Sequence, residues 1–575
     1  MKKVLFILLA AMASLASAQT AVVTPGAWDL YRGTSIVSTH PTEAACVDAA
    51  KALNVTRSYT CRTRTAVAVT AAAPVPTCPA SPPPPETQTI ACPAGTTGLW
   101  VQTRSYASAP YPTCWTPGAW SPSAAPAGAC TTVVTPPPVT PPATGTNAGV
   151  QQGAVETKVV TTALTGTTTY NVQSIEDARA VPWGSLACGS MVNVYHAAAA
   201  YPIKIGLRAQ CPSSNPVVIN GVSNAAGDKP VIQCAGATTM PGSANVFSDT
   251  PAYGESLGCF VVKRGNADAY AGAKPSGIVI QGLAFIGAAN GQKYTALNGS
   301  TQTFGDAASI YVHVGTDITV QNVTATDAAF CMFVMAKDGT LNHAGERITL
   351  RNSRMSGCGV VGQYYQHNVY MQAASPIVEG NFFGKLKAGG EGSSYKTRSS
   401  GEVFRNNYVI ATARALDFVQ SEDNEQGIAA QPSYATDWVY GNTIVSDGPE
   451  AIHYGGDNLG EQEQTGIFVP TKPYRKNLYF WNNKVTLQAT SAWWRFNVFD
   501  LSLSTTTAQV WGNTFTLGGG RADGEGVSWL QFAGKLNLGQ NTIIGKQPSN
   551  ARFDANPAAW SITTGNAPPT LPAGL

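Results

Sequence analysis

From about residue 155 onward the chain repeats one short phrase: an apolar run rich in Val, Ile, Tyr and Phe, closed by Asn or Gly. "DITVQNVTAT", "EVFRNNYVI", "DWVYGNTIVS" and "LYFWNNKVTL" are instances. The closing residues Asn322, Asn352, Asn381, Asn406, Asn442, Asn482, Asn513 and Asn541 stand 30, 29, 25, 36, 40, 31 and 28 positions apart. One strand–Asn–strand unit per period marks a solenoid, in which each repeat buries its apolar face only against the next. Helical patterning is almost absent, and Gly, Asn and Pro recur too often for helices. The expected fold is all-β, a right-handed parallel β-helix. Asn suits the corner twice over, because it tolerates left-handed backbone and stacks into a hydrogen-bonded ladder. Ten or so coils at about 4.8 Å each give a rod roughly 45–50 Å long. A β-propeller is the weaker alternative, since its blades of about four strands need a more even spacing.

The chain ahead of the solenoid has a different character. Residues 1–18 read as a secretory signal peptide: Lys2 and Lys3, an apolar stretch from Val4 to Ala13, then Ala16-Ser17-Ala18 before Gln19. No later stretch is apolar for the ~20 residues a membrane span needs. A secreted protein, extracellular or periplasmic, is expected. Residues 19–130 hold Cys46, Cys61, Cys78, Cys92, Cys114 and Cys130, and "TPGAW" twice, on either side of the Pro82–Pro85 run. This suggests small Cys/Trp/Pro modules stapled by disulfides, suited to binding a surface or a glycan. The Thr/Pro stretch 131–149 is a semi-stiff linker, and residues 150–575 form the β-helix domain. The six later cysteines, from Cys188 to Cys358, are expected to mix disulfides with buried free thiols.

Charge is scarce. Asp, Glu, Lys and Arg make up 12% of the residues, about half the usual share of roughly 25%. Without Lys2 and Lys3 there are 34 basic residues against 33 acidic ones, which gives nucleic acid no basic face to bind. Against that background "YKTRS" places Lys396 and Arg398 on one face of a strand. Two unpaired cations would be prohibitive inside the rod, so they are expected to point outward. Counting from the corner asparagines, Asn352 to His367 and Asn381 to Lys396 are both 15. Asn406 to Asp417 and Asn442 to His453 are both 11. In-register coils then place His367 over Lys396 and Asp417 over His453. These five are the candidate catalytic residues. Tyr370, Glu422, Asp423, Tyr454, Asp457 and Arg475 join them as candidate substrate-binding residues. Lone His196 and His343 read as structural, and Trp493 and Trp494 equally as sugar platforms or core.

The segments "QHNVY" (366–370), "YKTRSSGEVFRNNYVI" (395–410), "LDFVQSED" (416–423), "WVYGNTIVSDGPEAIHYGGD" (438–457) and "YRKNLYFWNN" (474–483) carry a resemblance. The chain resembles secreted bacterial right-handed parallel β-helix proteins related in fold to pectate lyases, over about 305 residues. The resemblance implies an extracellular polysaccharide as partner, without naming one reaction. "KTR" stands where "KDR" is common in that pattern, so a carboxylate beside Lys396 is missing.

Three functions remain open. A lyase acting on a uronic-acid polymer needs its substrate's carboxylate neutralised, a base and an acid. Arg398 has the planar fork for the first task. Lys396, its proton loosened by the adjacent cation, is the candidate base, with His367, His453 or Tyr370 as acid. No cofactor is certain from the sequence and no metal ligand is assigned; lyases of this fold often use Ca2+, and although no tight Asp-rich loop is present, Asp417, Glu422, Asp423 and Asp457 are the residues that would assemble its site. A glycoside hydrolase instead needs two carboxyls about 5–5.5 Å or roughly 6.5–9.5 Å apart, here Asp417 with Glu422, Asp423 or Asp457. The third option is a glycan-binding surface rod or adhesin, with Lys396 and Arg398 as structural ion-pair partners.

Overall fold

The computed structural model describes residues 168–569 except 248–250, 266–271, 458–472, 490–495, 520–525 and 553–555, together with Gly166 and short segments between residues 28 and 132. The leader 1–18, residues Trp493 and Trp494, and the side chains of the six early cysteines lie outside the described residues. The chain divides into two compact units, Met1–Thr144 and Gly145–Leu575. In the first, short strands pair antiparallel: Trp28–Arg32 with Ser35–His40 and with Tyr59–Thr63, and Glu86–Ala91 with Leu99–Arg104. None of the described pairings crosses the proline run.

The second unit is a parallel β-helix. Its strands fall into three sheets of fifteen, fourteen and ten strands. A representative coil runs Ile377–Glu379 in the first sheet, Phe382–Phe383 in the third, Tyr395–Thr397 in the second, and re-enters the first at Val403–Arg405. Each strand pairs parallel with its counterpart one coil on, and a right-handed crossover is the hand that strand twist favours. The lumen is filled by the inward column of each sheet. Phe383, Tyr395, Phe404 and Phe418, all buried, pack ring on ring at 4.9–5.9 Å between centroids.

The corner between the first and third sheets uses two consecutive residues where the sequence suggested one. The first adopts left-handed backbone: Asn352, Gly380, Asn406, Gly441, Asn482 and Gly512 have φ between 48° and 66°. The second forms the ladder. Asn381, Asn407, Asn442, Asn483 and Asn513 each donate from Nδ2 to the Oδ1 of the next rung at 2.9–3.2 Å, ending on Asn541. Each backbone N–H donates to that same oxygen. The other Nδ2 hydrogen reaches a carbonyl of the preceding coil. Both amide donors are thereby satisfied and the carbonyl oxygen accepts twice. Asn352, Asn406 and Asn482, expected as rungs, supply backbone shape instead.

All six later cysteines are paired, as Cys188–Cys211, Cys234–Cys259 and Cys331–Cys358. The expected mixture with free thiols is not found, since no described cysteine is free. No described helix is long and apolar enough to cross a membrane.

The two corner positions should respond differently to substitution. Asn442→Ala strands buried donors and acceptors on the rungs at both sides and should cost about 2–4 kcal/mol. Asn406→Gly keeps the left-handed shape and should cost under about 1 kcal/mol. Denaturant midpoints of the two variants check this; equal losses would show that the ladder contributes nothing beyond backbone geometry.

Candidate functional site

Five successive strands of the second sheet build the site: β1 (Val369–Met371), β2 (Tyr395–Thr397), β3 (Leu416–Phe418), β4 (Glu450–Tyr454) and β5 (Asn497–Leu501). Strand alternation sorts their side chains. Val369, Tyr395, Leu416, Ile452 and Phe499 stack inward, as do Met371, Thr397, Phe418, Tyr454 and Leu501. The residues between them form one outward column: Tyr370, Lys396, Asp417, His453, Asp500.

The pairing of Asp417 with His453 is as expected; Lys396 lies under Tyr370 rather than His367. His367 sits to the side, where its Nδ1 accepts the Ser393 N–H at 2.8 Å. The loop ahead of β1 is longer than the one ahead of β2, and strand hydrogen bonds, not distance from the corner, set register.

A cleft of about 690 Å³ opens over this column. His367, Tyr370, Lys396, Arg398, Asp417 and Asp457 line it, with Glu422 and Arg414 at its walls. Its cations are held by carboxylates. Lys396 Nζ lies 2.7 Å from Asp417 Oδ2 and 3.5 Å from Asp457 Oδ2. Arg398 donates from Nε to the Tyr370 hydroxyl at 2.7 Å and from Nη1 to the Gln420 carbonyl at 2.6 Å. Its Nη2 meets Asp457 at 2.6 Å and Glu422 at 2.7 Å. The cleft floor therefore buries charge in compensated form, as its low exposure requires.

Burial opposes the charge on Asp417, but Lys396, Arg414 and a hydrogen bond from His453 outweigh it and hold the carboxyl well below the usual range. Asp457 is half-buried; desolvation raises it, but Lys396 with Arg398 and His453 hold it below the ordinary value, against the repulsion of Asp417. His367 goes the other way: burial, reinforced by Lys396, lowers it to about 3. A neutral ring whose Nδ1 accepts a backbone N–H carries its proton on Nε2, so His367 is a fixed donor and not a base. Burial also raises Tyr370, which keeps its phenolic proton.

Several expected roles need correction. Tyr454 faces the lumen, fully buried, and donates to the Asn477 carbonyl at 2.7 Å and to Asp437 at 3.0 Å. Arg475 is buried in the same interior network, 2.8 Å from Asp437. Neither can meet a substrate; strand parity places Tyr454 inside because its neighbour His453 is outside. His453 is sealed behind Asp417, with Nδ1 2.7 Å from Asp417 and Nε2 3.1 Å from the Gly456 carbonyl. It positions Asp417 and does not itself line the cleft. Ser502 Oγ lies 3.4 Å from His453 Nε2, in the order of a catalytic triad. Its hydroxyl instead donates to Gly456, and the serine is buried. Asp423 does not line the cleft, although its charge reaches Tyr370.

Residues not expected there include Arg414, Ser393, Glu391 and the rim pair Tyr364 and Tyr365, whose side chains are exposed. Arg414 stands three positions before Asp417 and pairs with Glu450 at 2.9 Å. The adjacent tyrosines in "QYYQHN" were a readable hint of an aromatic rim.

Asp417, His453 and Asp457 offer ligand atoms within 4.8 Å of one another. Ca2+ takes six to eight oxygens. Here the Lys396 ammonium lies between the two carboxylates, Arg398 holds Asp457, and His453 holds Asp417. This donor set does not fit Ca2+, and no step is routed through it.

No protein-family model matches the chain, and no curated protein matches it either. Solved structures similar in outline include the GH136 lacto-N-biosidase from Eubacterium ramulus, at 11% identity and TM-score 0.36 over 66% of this chain and 68% of that one. The tailspike of E. coli bacteriophage HK620, solved with a pentasaccharide, matches at 14% and 0.35 over 66% and 58%. The alginate lyase from Paenibacillus sp. str. FPU-7 matches at 12% and 0.30 over 66% and 99%. This chain thus spans under two thirds of the tailspike's length. Such likeness bears on neither substrate nor reaction.

The state of His367 gives a pH test. Its folded value of about 3 lies below the ordinary 6.5, so between these pH values the unfolded chain binds the extra proton. Stability from this residue is complete above about pH 6.5 and falls as pH drops, by up to about 1.4 kcal/mol per pH unit. The His367→Gln variant should lose that slope, and the His367 ring resonances should stay fixed from pH 5 to 9. A ring that titrates near 6.5 would refute the assignment.

Proposed function

We propose that this chain is an exported, polysaccharide-active enzyme that cleaves a uronic-acid polymer by β-elimination in the lateral cleft. The observation that carries the reading is the cluster of Tyr370, Arg398 and Lys396. A phenol that keeps its proton is hydrogen-bonded to a guanidinium, one strand from an amine, on the floor of an open cleft. The three paired disulfides support an oxidising compartment.

The chemistry follows from those groups. A uronate carboxylate takes the outer edge of Arg398 by displacing Glu422, whose side chain is 43% exposed. One carboxylate replaces another on Arg398 while Asp457 keeps the guanidinium paired throughout, so the exchange is inexpensive. Lys396, acting as an amine, removes the proton on the carbon next to the carboxylate and is left as the ammonium that Asp417 holds at 2.7 Å. The electron pair forms the new double bond, the bond to the glycosidic oxygen breaks, and Tyr370 gives that oxygen its proton. Arg398 Nε, at 2.7 Å, then stabilises the phenolate. The Nε2–H of His367 orients the sugar.

Hydrolysis has one observation in its favour, the close approach of Asp417 and Asp457, which suits a retaining pair. Both are held ionised, so neither keeps the proton that the acid must supply. Self-paired cations also suit a rod that only binds glycan, and the same experiment separates the three.

The purified chain is incubated with polygalacturonate and alginate while the ultraviolet absorbance of unsaturated ends is followed. Tyr370→Phe should lower kcat by about 100-fold or more, the usual size of an acid–base contribution. Glu422→Gln should lower KM two- to fivefold by freeing Arg398. Reducing ends released from neutral glycans without unsaturation would transfer the assignment to hydrolysis; binding without any product would transfer it to the adhesin reading.

A further inference from the structure

The cleft does not end at its own walls. A second cavity of about 410 Å³ lies between residues 385–391 and Thr412–Ala413. The two cavities share Glu391 and Ala413, so a chain lying in the first continues into the second. The 385–391 segment is held out as a wall by backbone pairing to the preceding loop: Gly362 N–H to Gly389 O at 2.7 Å, and Glu391 N–H to Gln363 O at 3.0 Å. That preceding loop carries Tyr364 and Tyr365, so both sides of the groove are built from one pair of loops.

The second cavity has its own charge pattern. In "KLK" all three residues line the cavity, Leu386 nearly buried at its base and Lys385 and Lys387 more exposed on either side. Lys385 pairs with Asp447 at 3.3 Å and Lys387 with Asp327 at 2.6 Å, but neither acid lines this cavity. Both pairs are between about one third and one half exposed. Such pairs exchange readily for another anion.

We infer that the 385–391 cavity is a second glycan subsite, in which Lys385 and Lys387 hold an acidic substituent of a sugar removed from the one over Lys396. This deepens the reading above and rests on it. The preferred substrate is then a chain carrying acid groups at repeated positions, spanning both cavities past Glu391. Among the described residues Glu391 is the one carboxylate lining the second cavity, and it repels an acidic polymer at the junction.

Calorimetric binding of oligogalacturonates and oligoalginates, trimer against octamer, tests this on the full chain. The octamer should bind more tightly than the trimer. In the Lys385→Gln/Lys387→Gln variant octamer affinity should fall about fivefold, the size two exposed charge contacts supply, with trimer affinity unchanged. Glu391→Gln should tighten octamer binding. High salt should erase the octamer's advantage. Equal binding of trimer and octamer by the native chain, or an octamer advantage that survives the double substitution, would overturn the subsite. Binding that follows this pattern without unsaturated product would instead leave the subsite standing and remove the elimination reaction.

Discussion

Backbone hydrogen bonding between successive coils is the constraint on which the rest depends. It fixes each strand residue above its counterpart one coil on, so a column of like positions becomes a continuous surface. Inward columns pack as core. An outward column becomes a row of functional groups about 4.8 Å apart, and Tyr370, Lys396, Asp417, His453 and Asp500 are such a row. No loop has to place them.

The row is tenable because its charges alternate. Lys396 lies between Asp417 and Asp457, and His453 backs Asp417 from below. A buried ion with no partner would be strongly destabilising, whereas a closed set of pairs holds a defined geometry with modest net effect. The same closure sorts the site by accessibility. Groups with every polar atom committed, such as His453, serve to position others. Groups with one replaceable partner, such as Arg398 through Glu422, are the ones a ligand can engage.

The β-helix was legible because its repeat is written in residue types that only a stacked coil can use. The site was legible where parity alone decides: Lys396 and His453 point outward for the reason that Tyr395 and Ile452 point inward, whereas the face of Asp417 stayed open in the sequence and is fixed by its pairing between them. The same parity excludes Tyr454, whose hydroxyl faces the lumen beside the outward His453. Register was harder. The equal count of eleven that joins Asp417 to His453 starts from Asn406, a left-handed residue, and from Asn442, a ladder rung. The agreement is coincidental, and the equal count of fifteen misplaced His367, since coils between rungs vary from 26 to 41 residues. Arg475 was unreadable because its partners, Asp437 and the lumen, come together only in three dimensions.

The asparagine file has a direction. Every amide from Asn381 to Asn513 donates toward the C-terminal end, so the small dipoles add and polarise one another. At the N-terminal end Ser353 takes the rung position and turns its hydroxyl to the Arg351 carbonyl, so no side-chain amide feeds the file from above. The two ends are chemically unlike. A whole coil duplicated within the file would join it amide to amide, whereas at Ser353 the file passes on only through a hydroxyl that accepts the Val323 N–H at 3.1 Å. Growth of such a rod is therefore easiest from its middle.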